Sequence, residues 1–148
     1  MNNRFEHFSV NIFNIVHYWN ILASEEMKKH GLRGGYALYL IILYNSEEEL
    51  TAAKVAELCH RDKADVSRAI SVFQEKGILE PYGNSRYRAP LRLTEEGRKL
   101  AGQINVQAVK VLDVVGMGIS DEVRAHMYEG LDTIALNMKH LAEGGLPK

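Results

Sequence analysis

Two helix starts eleven residues apart, Thr51 and Asp62, constrain this chain more than any other feature of its sequence. Each is a short polar side chain of the kind that accepts a hydrogen bond from a backbone N–H of the first helical turn. After Thr51, the residues Val55, Ala56 and Leu58 give an inward face to a short helix that ends at about Cys59, and His60-Arg61 forms a turn. After Asp62, a helix over Lys63–Lys76 turns Val66, Ala69, Ile70 and Phe73 inward, and Gly77 stops it as the residue beyond the cap. Two extended pieces follow, Ile78–Tyr82 and Ala89–Leu93, with Gly83-Asn84-Ser85 between them, which predicts a hairpin. Pro81 and Pro90 have no N–H to give a ladder, so these strands are short or lie at an edge.

The flanks are helical. From Phe5 to Met27 apolar residues recur at helical spacing (Phe5, Phe8, Ile12, Ile15, Val16, Trp19, Leu22, Ala23, Met27), and Lys28-Lys29-His30-Gly31 ends that helix with a cationic turn before glycine. Tyr36–Tyr44 reads as a buried helix by its helical surroundings, since periodicity alone does not separate it from a strand. Asn45–Glu49 is a polar, acidic turn. Thr94, with Glu95 and Glu96 behind it, caps a long helix to about Val115, striped by Leu100, Ile104, Ala108, Val111, Leu112 and Val115. Gly116 and Gly118 break it, and Ser120 caps a last helix carrying Val123, Met127, Leu131, Ile134, Met138 and Leu141.

The fold class this order predicts is mainly α with a small β-hairpin wing: a winged helix-turn-helix with N- and C-terminal dimerisation helices. One domain over 1–148 accommodates it, with the winged lobe at about 31–99 and the helical dimerisation region at 1–30 and 100–148. The first, fifth and sixth helices carry more apolar surface than so small a core can cover, which a second copy of the chain would bury.

Such a pair of helices can lay the second one in the major groove of DNA, about 12 Å wide. With Val66, Ile70 and Phe73 inside, the outer side shows Lys63, Ala64, Ser67, Arg68 and Ser71, residues small, hydroxylated or cationic enough for a groove. The hairpin offers Arg86-Tyr87-Arg88 to phosphates or the minor groove. Asp65 runs against this, because phosphate repels a carboxylate unless it accepts from a cytosine amino group. Taken singly, each of these charges reads more plainly as a solvated helix or hairpin charge. Charge is distributed to match: Thr51 to Lys99 holds ten Lys/Arg against seven Asp/Glu in a chain of net charge −1.

The segments that carry this pattern also carry a resemblance. Leu50-Thr51 with Val55-Ala56-Glu57-Leu58, Asp62-Lys63-Ala64-Asp65-Val66-Ser67-Arg68, Gln74-Glu75-Lys76-Gly77-Ile78-Leu79-Glu80 and Leu91-Arg92-Leu93-Thr94-Glu95-Glu96-Gly97 closely resemble the MarR family of regulators, over about Leu50–Gly97. The resemblance implies a homodimer with interlocking terminal helices that binds a pseudo-palindromic double-stranded operator. It also implies a repressor released by a small aromatic or anionic effector. It makes Ser67 and Arg68 recognition contacts and Arg86 the wing-tip arginine. Two departures stand out: Ser85 replaces the aspartate that usually orients that arginine, and Gly34-Gly35 would loosen the second helix. An effector crevice between the dimer helices and the DNA-binding lobe would be bordered by His17, Trp19, Tyr36 and Tyr39, although aromatic residues at helical spacing also serve as plain core.

Other chemistry finds little purchase. Cys59, the single cysteine, excludes an intrachain disulfide; Arg61 and Lys63 nearby suggest a redox sensor, but a packed structural thiol is the simpler reading. His7, His17, His30, His60, His126 and His140 show no i,i+4 pairing, so neither metal nor other cofactor is expected. There is no nucleophile–base pair or phosphate loop to suggest an enzyme. The polar start at Met1–Phe5 and the short apolar run Tyr36–Tyr44 predict a cytoplasmic chain with no membrane partner. The competing reading is a winged-helix protein-interaction module without DNA binding, favoured by the near-neutral charge, Asp65 and the altered wing.

Overall fold

A computed structural model describes residues 3–146; the Met1-Asn2 part of the polar start and Pro147-Lys148 lie outside it. In order the elements are α1 (Arg4–Lys28), a 3-10 turn (Gly34–Tyr36), α2 (Ala37–Asn45), β1 (Leu50–Thr51), α3 (Ala52–Cys59), α4 (Lys63–Glu75), β2 (Pro90–Leu91), α5 (Glu95–Val115) and α6 (Asp121–Gly144). They form two compact units, Met1–Ala108 and Val109–Lys148.

The first unit holds the core. Met27 of α1, Tyr36, Tyr39, Leu40 and Leu43 around α2, Val55 and Ala56 of α3, and Val66, Ala69, Ile70 and Phe73 of α4 are all buried there. Ile78, Leu79 and Leu91 of the wing arms and Ala101 and Ile104 of α5 complete it. Local chemistry sets the helix ends. Thr51 Oγ1 accepts from the Lys54 N–H at 3.2 Å, and Asp62 Oδ1 accepts from the Asp65 N–H at 2.7 Å. Between the helices His60 takes the left-handed conformation (φ 49°), and Gly77 does so beyond α4 (φ 70°).

Three sequence expectations need correction. Leu58 is not inward; it is 47% exposed, because the line of α3 packed on the core is Ala52, Val55, Ala56 and Cys59, and Leu58 lies beside it. The wing arms pair antiparallel, as a hairpin requires, but over less of their length than the extended pieces suggested. They share one bridge, Leu79 with Leu93, and the hydrogen bonds Glu80 N–H to Arg92 C=O and Thr94 N–H to Ile78 C=O. In this register the next hydrogen-bonding pair is Tyr82 with Pro90, and Pro90 has no N–H to give it. The regular antiparallel pair is instead Leu50–Thr51 with Pro90–Leu91. Thr51 thus serves as strand residue and helix cap together.

Gly34 tightens rather than loosens. A Cβ there would lie 2.8 Å from the Ser24 Cα, so glycine lets the 3-10 turn press directly on α1. Gly97 does the same at the start of α5, where a Cβ would overlap the Ile78 carbonyl. Thr94 Oγ1 ties this junction by donating to the Gly77 C=O while accepting from the Gly97 N–H at 2.9 Å.

In the second unit, Ser120 caps α6 by accepting from the Val123 N–H at 3.3 Å, and no described residue of α6 is buried. Its stripe, Val123 to Leu141, stays 39–57% exposed. In the first unit, much of the apolar side of α1 is likewise uncovered, Phe5, Phe13 and Ile15 among it. No described helix is long and apolar enough to cross a membrane.

Candidate nucleic-acid interface

The inward residues of α4 fix what its other side presents. With Val66, Ala69, Ile70 and Phe73 in the core, Lys63, Ala64, Ser67, Arg68 and Ser71 are all exposed on the outer face. Lys63 and Ser67 form one line at i,i+4, and Ala64, Arg68 and Ser71 the next.

The wing meets the first of these lines. A cleft of about 440 Å³ is lined by Lys63 and Ser67 from α4, by Arg86, Tyr87, Arg88 and Ala89 from the wing, and by Thr51, Ala52 and Ala53 where α3 begins. Ala64, Arg68 and Ser71 are not among its lining residues. The wing's tight reversal is not at Gly83-Asn84-Ser85 but three residues later. There the Ala89 N–H donates to the Arg86 C=O at 3.3 Å and Arg88 is left-handed (φ 49°). Ser85 Oγ accepts from the Tyr87 N–H at 3.1 Å, bracing the approach to that reversal.

Each wing arginine rests on an aromatic ring. The Arg86 guanidinium lies over Tyr82 at 5.9 Å from the centroid, and that of Arg88 over Tyr87 at 5.2 Å. Tyr87 itself is 77% exposed.

Charge in the cleft is one-sided. Lys63, Arg86 and Arg88 pair with no acid among the described residues, whereas Arg92 donates twice to Glu49 Oε1, at 2.9 and 2.8 Å. Three unneutralised cations around one concavity create a positive potential suited to a polyanion. The opening turn of α3 lines the same cleft with the small side chains of Ala52 and Ala53. That contribution of Ala52 and Ala53 escaped the sequence reading; the signal was a capping Thr51 followed by two small residues.

Asp65 is turned away from the outer face. Its Oδ2 accepts from the Tyr39 hydroxyl at 2.5 Å, its Oδ1 from Arg68 Nη2 at 3.4 Å, and its side chain is only 26% exposed. The Tyr39 hydrogen bond, partly offset by burial and aided by Arg68, lowers the carboxyl pKa. Burial and the same hydrogen bond push the Tyr39 phenol well above the ordinary tyrosine range.

The four effector candidates are placed very differently. Tyr36 and Tyr39 are core residues, 4% and 2% exposed, with rings stacked 6.1 Å apart and Tyr36 edge-on to Phe73. Trp19 is half-buried and His17 is exposed beside Tyr18. None of the four lines the cleft above or a second, shallower one of about 450 Å³ around His30, Lys76 and Lys99. Cys59 is half-buried, and burial raises its pKa against the pull of Arg61, the opposite of what a reactive thiolate needs. No group of three or more His, Cys, Asp or Glu able to hold a metal occurs among the described residues.

No family model matches the chain, and no curated protein does. Solved structures do. A MarR transcriptional regulator from Methanosarcina mazei Go1 superposes with TM-score 0.81 at 20% identity, over 92% of each chain. A MarR family regulator from Neisseria meningitidis gives 0.75 at 20% identity, over 97% of this chain and 99% of that one. A Listeria monocytogenes protein assigned to the same family and solved in complex with a 26mer DNA gives 0.76 at 19% identity, over 100% and 99%. The chain has the fold of the MarR-family winged-helix regulators.

Proposed function

We propose that this chain is a sequence-specific double-stranded DNA-binding transcriptional regulator, not an enzyme, acting as a homodimer in the cytoplasm. The observation that carries the reading is the acid-free cleft between α4 and the wing, with Lys63, Arg86 and Arg88 facing it beside the exposed line of Ala64, Arg68 and Ser71. In this reading Arg86 and Arg88 take phosphates or the minor groove while Ser67, Arg68 and Ser71 meet base edges. The Listeria protein of like fold, solved with DNA, supports the same use.

A two-fold dimer would present two α4 helices to half-sites about 34–36 Å apart, and so select a pseudo-palindrome. The uncovered stripes of α1 and α6 support the dimer. Repression relieved by a small aromatic or anionic effector rests on the sequence resemblance alone. The domain division into a winged lobe at about 31–99 and flanking dimerisation helices is part of the same proposal. The competing interaction-module reading loses one of its motives, since Asp65 does not face outward.

The test is selection of duplexes from a random pool, followed by fluorescence anisotropy across salt concentrations. Three phosphate contacts per protomer, six per dimer, give a slope of log affinity against log salt of about −5. Recovery of no sequence above the starting pool would refute DNA recognition, and Arg68→Ala and Arg86→Ala variants with intact function would favour the interaction module.

A further inference from the structure

We infer that Tyr39 and Asp65 are positioning residues that set where the Arg68 guanidinium stands on the outer face of α4. The inference rests on the DNA-binding reading, and adds to it a specificity determinant that lies in the core rather than at the groove.

Asp65 sits in the first turn of α4, where its N–H is held by the Asp62 cap and a carboxylate is favoured by the helix dipole. Its two oxygens are used separately, Oδ2 by the Tyr39 hydroxyl at 2.5 Å and Oδ1 by Arg68 at 3.4 Å. Tyr39 is a fixed anchor: it is 2% exposed, its ring stacks on Tyr36, and it belongs to α2. For the carboxylate to swing outward, a buried phenol would have to lose its partner, which is costly.

The consequence falls on Arg68. A carboxylate whose orientation is held by the phenol turns only Oδ1 toward the guanidinium, and Arg68 makes one long contact there rather than the forked, two-bond grip that arginine prefers. The guanidinium, on a side chain 60% exposed, keeps most of its N–H donors for a base edge such as guanine O6 and N7. Without the Tyr39 hydroxyl, the Asp65 carboxylate is free to turn both oxygens toward the guanidinium. They would then draw Arg68 into a bidentate pair and place a mobile negative charge near the groove.

The experiment takes the duplex selected by the wild-type chain and a scrambled duplex of equal composition, at one salt concentration. The ratio of their dissociation constants is measured for wild type, Tyr39→Phe, Arg68→Ala and the double variant. Tyr39→Phe should lower the ratio about tenfold, the discrimination of one bidentate contact, while scrambled-duplex affinity stays within about twofold. It should change nothing further in the Arg68→Ala background. Asp65→Asn, which keeps an acceptor for the phenol, should retain more of the ratio than Asp65→Ala.

A purely structural Tyr39 would lower both affinities together along with the melting temperature, leaving the ratio intact, and that result overturns the inference. So does an equal loss in the presence and absence of Arg68. Loss of preference at a single base pair in Asp65→Asn but not in Tyr39→Phe would make Asp65 a base reader instead, and likewise overturn it. A wild-type chain that selects no duplex fails at the earlier step, and the DNA reading falls first.

Discussion

Replacing Leu131 of α6 by aspartate should separate the proposed dimer into monomers. Leu131 lies in the middle of a stripe that runs from Val123 to Leu141 and is 40% exposed. Full burial of a leucine side chain is worth about 1.5–3 kcal/mol, so covering the remaining two-fifths of it stabilises the pair by about 1 kcal/mol per protomer. An unpaired carboxylate at the same place costs about 3 kcal/mol more. Two-fold symmetry doubles both effects, to about 8 kcal/mol, which raises the dimer dissociation constant by about six powers of ten. Glu129→Gln, on the opposite side of α6 by helical spacing, should leave it unchanged. Sedimentation velocity reads the mass and far-ultraviolet circular dichroism confirms that the helices persist. A Leu131→Asp chain that keeps the dimer mass would refute the argument. So would a wild-type monomer at micromolar concentration that binds its selected duplex one protomer at a time.

Gly97→Ala should destabilise the first unit by about 3 kcal/mol, because the new methyl meets the Ile78 carbonyl and backbone cannot yield as a side chain can; thermal melting checks it, and an unchanged midpoint would mean that the α5 junction is slack. Asp65 titrates below its ordinary value, chiefly through Tyr39, so its contribution is complete above about the model-compound range and is lost as pH falls through the lower, folded value. Acid unfolding followed by circular dichroism should therefore show a steeper limb in wild type than in Asp65→Asn; identical limbs would mean the bond does not form in solution. Cys59, with its pKa raised by burial, should react slowly with a thiol reagent at neutral pH, and mild peroxide should leave DNA affinity unchanged; rapid labelling or loss of binding reversed by Cys59→Ser would restore the redox reading.

The parts of the fold that were legible in the sequence are those set by near neighbours. Thr51, Asp62, Thr94 and Ser120 each close a helix through a backbone N–H three residues away, so the residue type alone announces the start. The inward face of α4 was equally plain, because three and a half turns give the period room to repeat. Leu58 failed for the converse reason: in eight residues the period repeats barely twice, and the width of the buried face depends on what packs there. The wing was legible in its arms but not at its tip: Leu79 and Leu93 pair as a hairpin requires, while the tight reversal lies at Arg86–Ala89 rather than at Gly83-Asn84-Ser85. The other edge of Pro90–Leu91 pairs with Leu50–Thr51, about forty residues back in the chain. A pattern read within one segment contains no information about that partner.

The candidate site divides along the same line. Which residues of α4 are outward follows from which are inward, so Lys63, Ala64, Ser67, Arg68 and Ser71 could be named without coordinates. Which of the basic residues remain available to a polyanion could not, since neutralisation is a tertiary matter: Arg92 is satisfied by Glu49 from 43 positions away, while Lys63, Arg86 and Arg88 have no acid among the described residues. A net charge of −1 over the whole chain therefore says little about affinity for DNA, because the cleft presents only cations and the acids lie elsewhere. Tyr39 and Asp65 show the same effect in reverse. Each looked wrong or ambiguous alone, an aromatic suited to a ligand and a carboxylate unsuited to a groove, and a bond spanning 26 residues gives both a single explanation. The phenol occupies the acid, the acid leaves the outer face to Arg68, and what counted against DNA binding in the sequence becomes, in three dimensions, part of how the arginine is held.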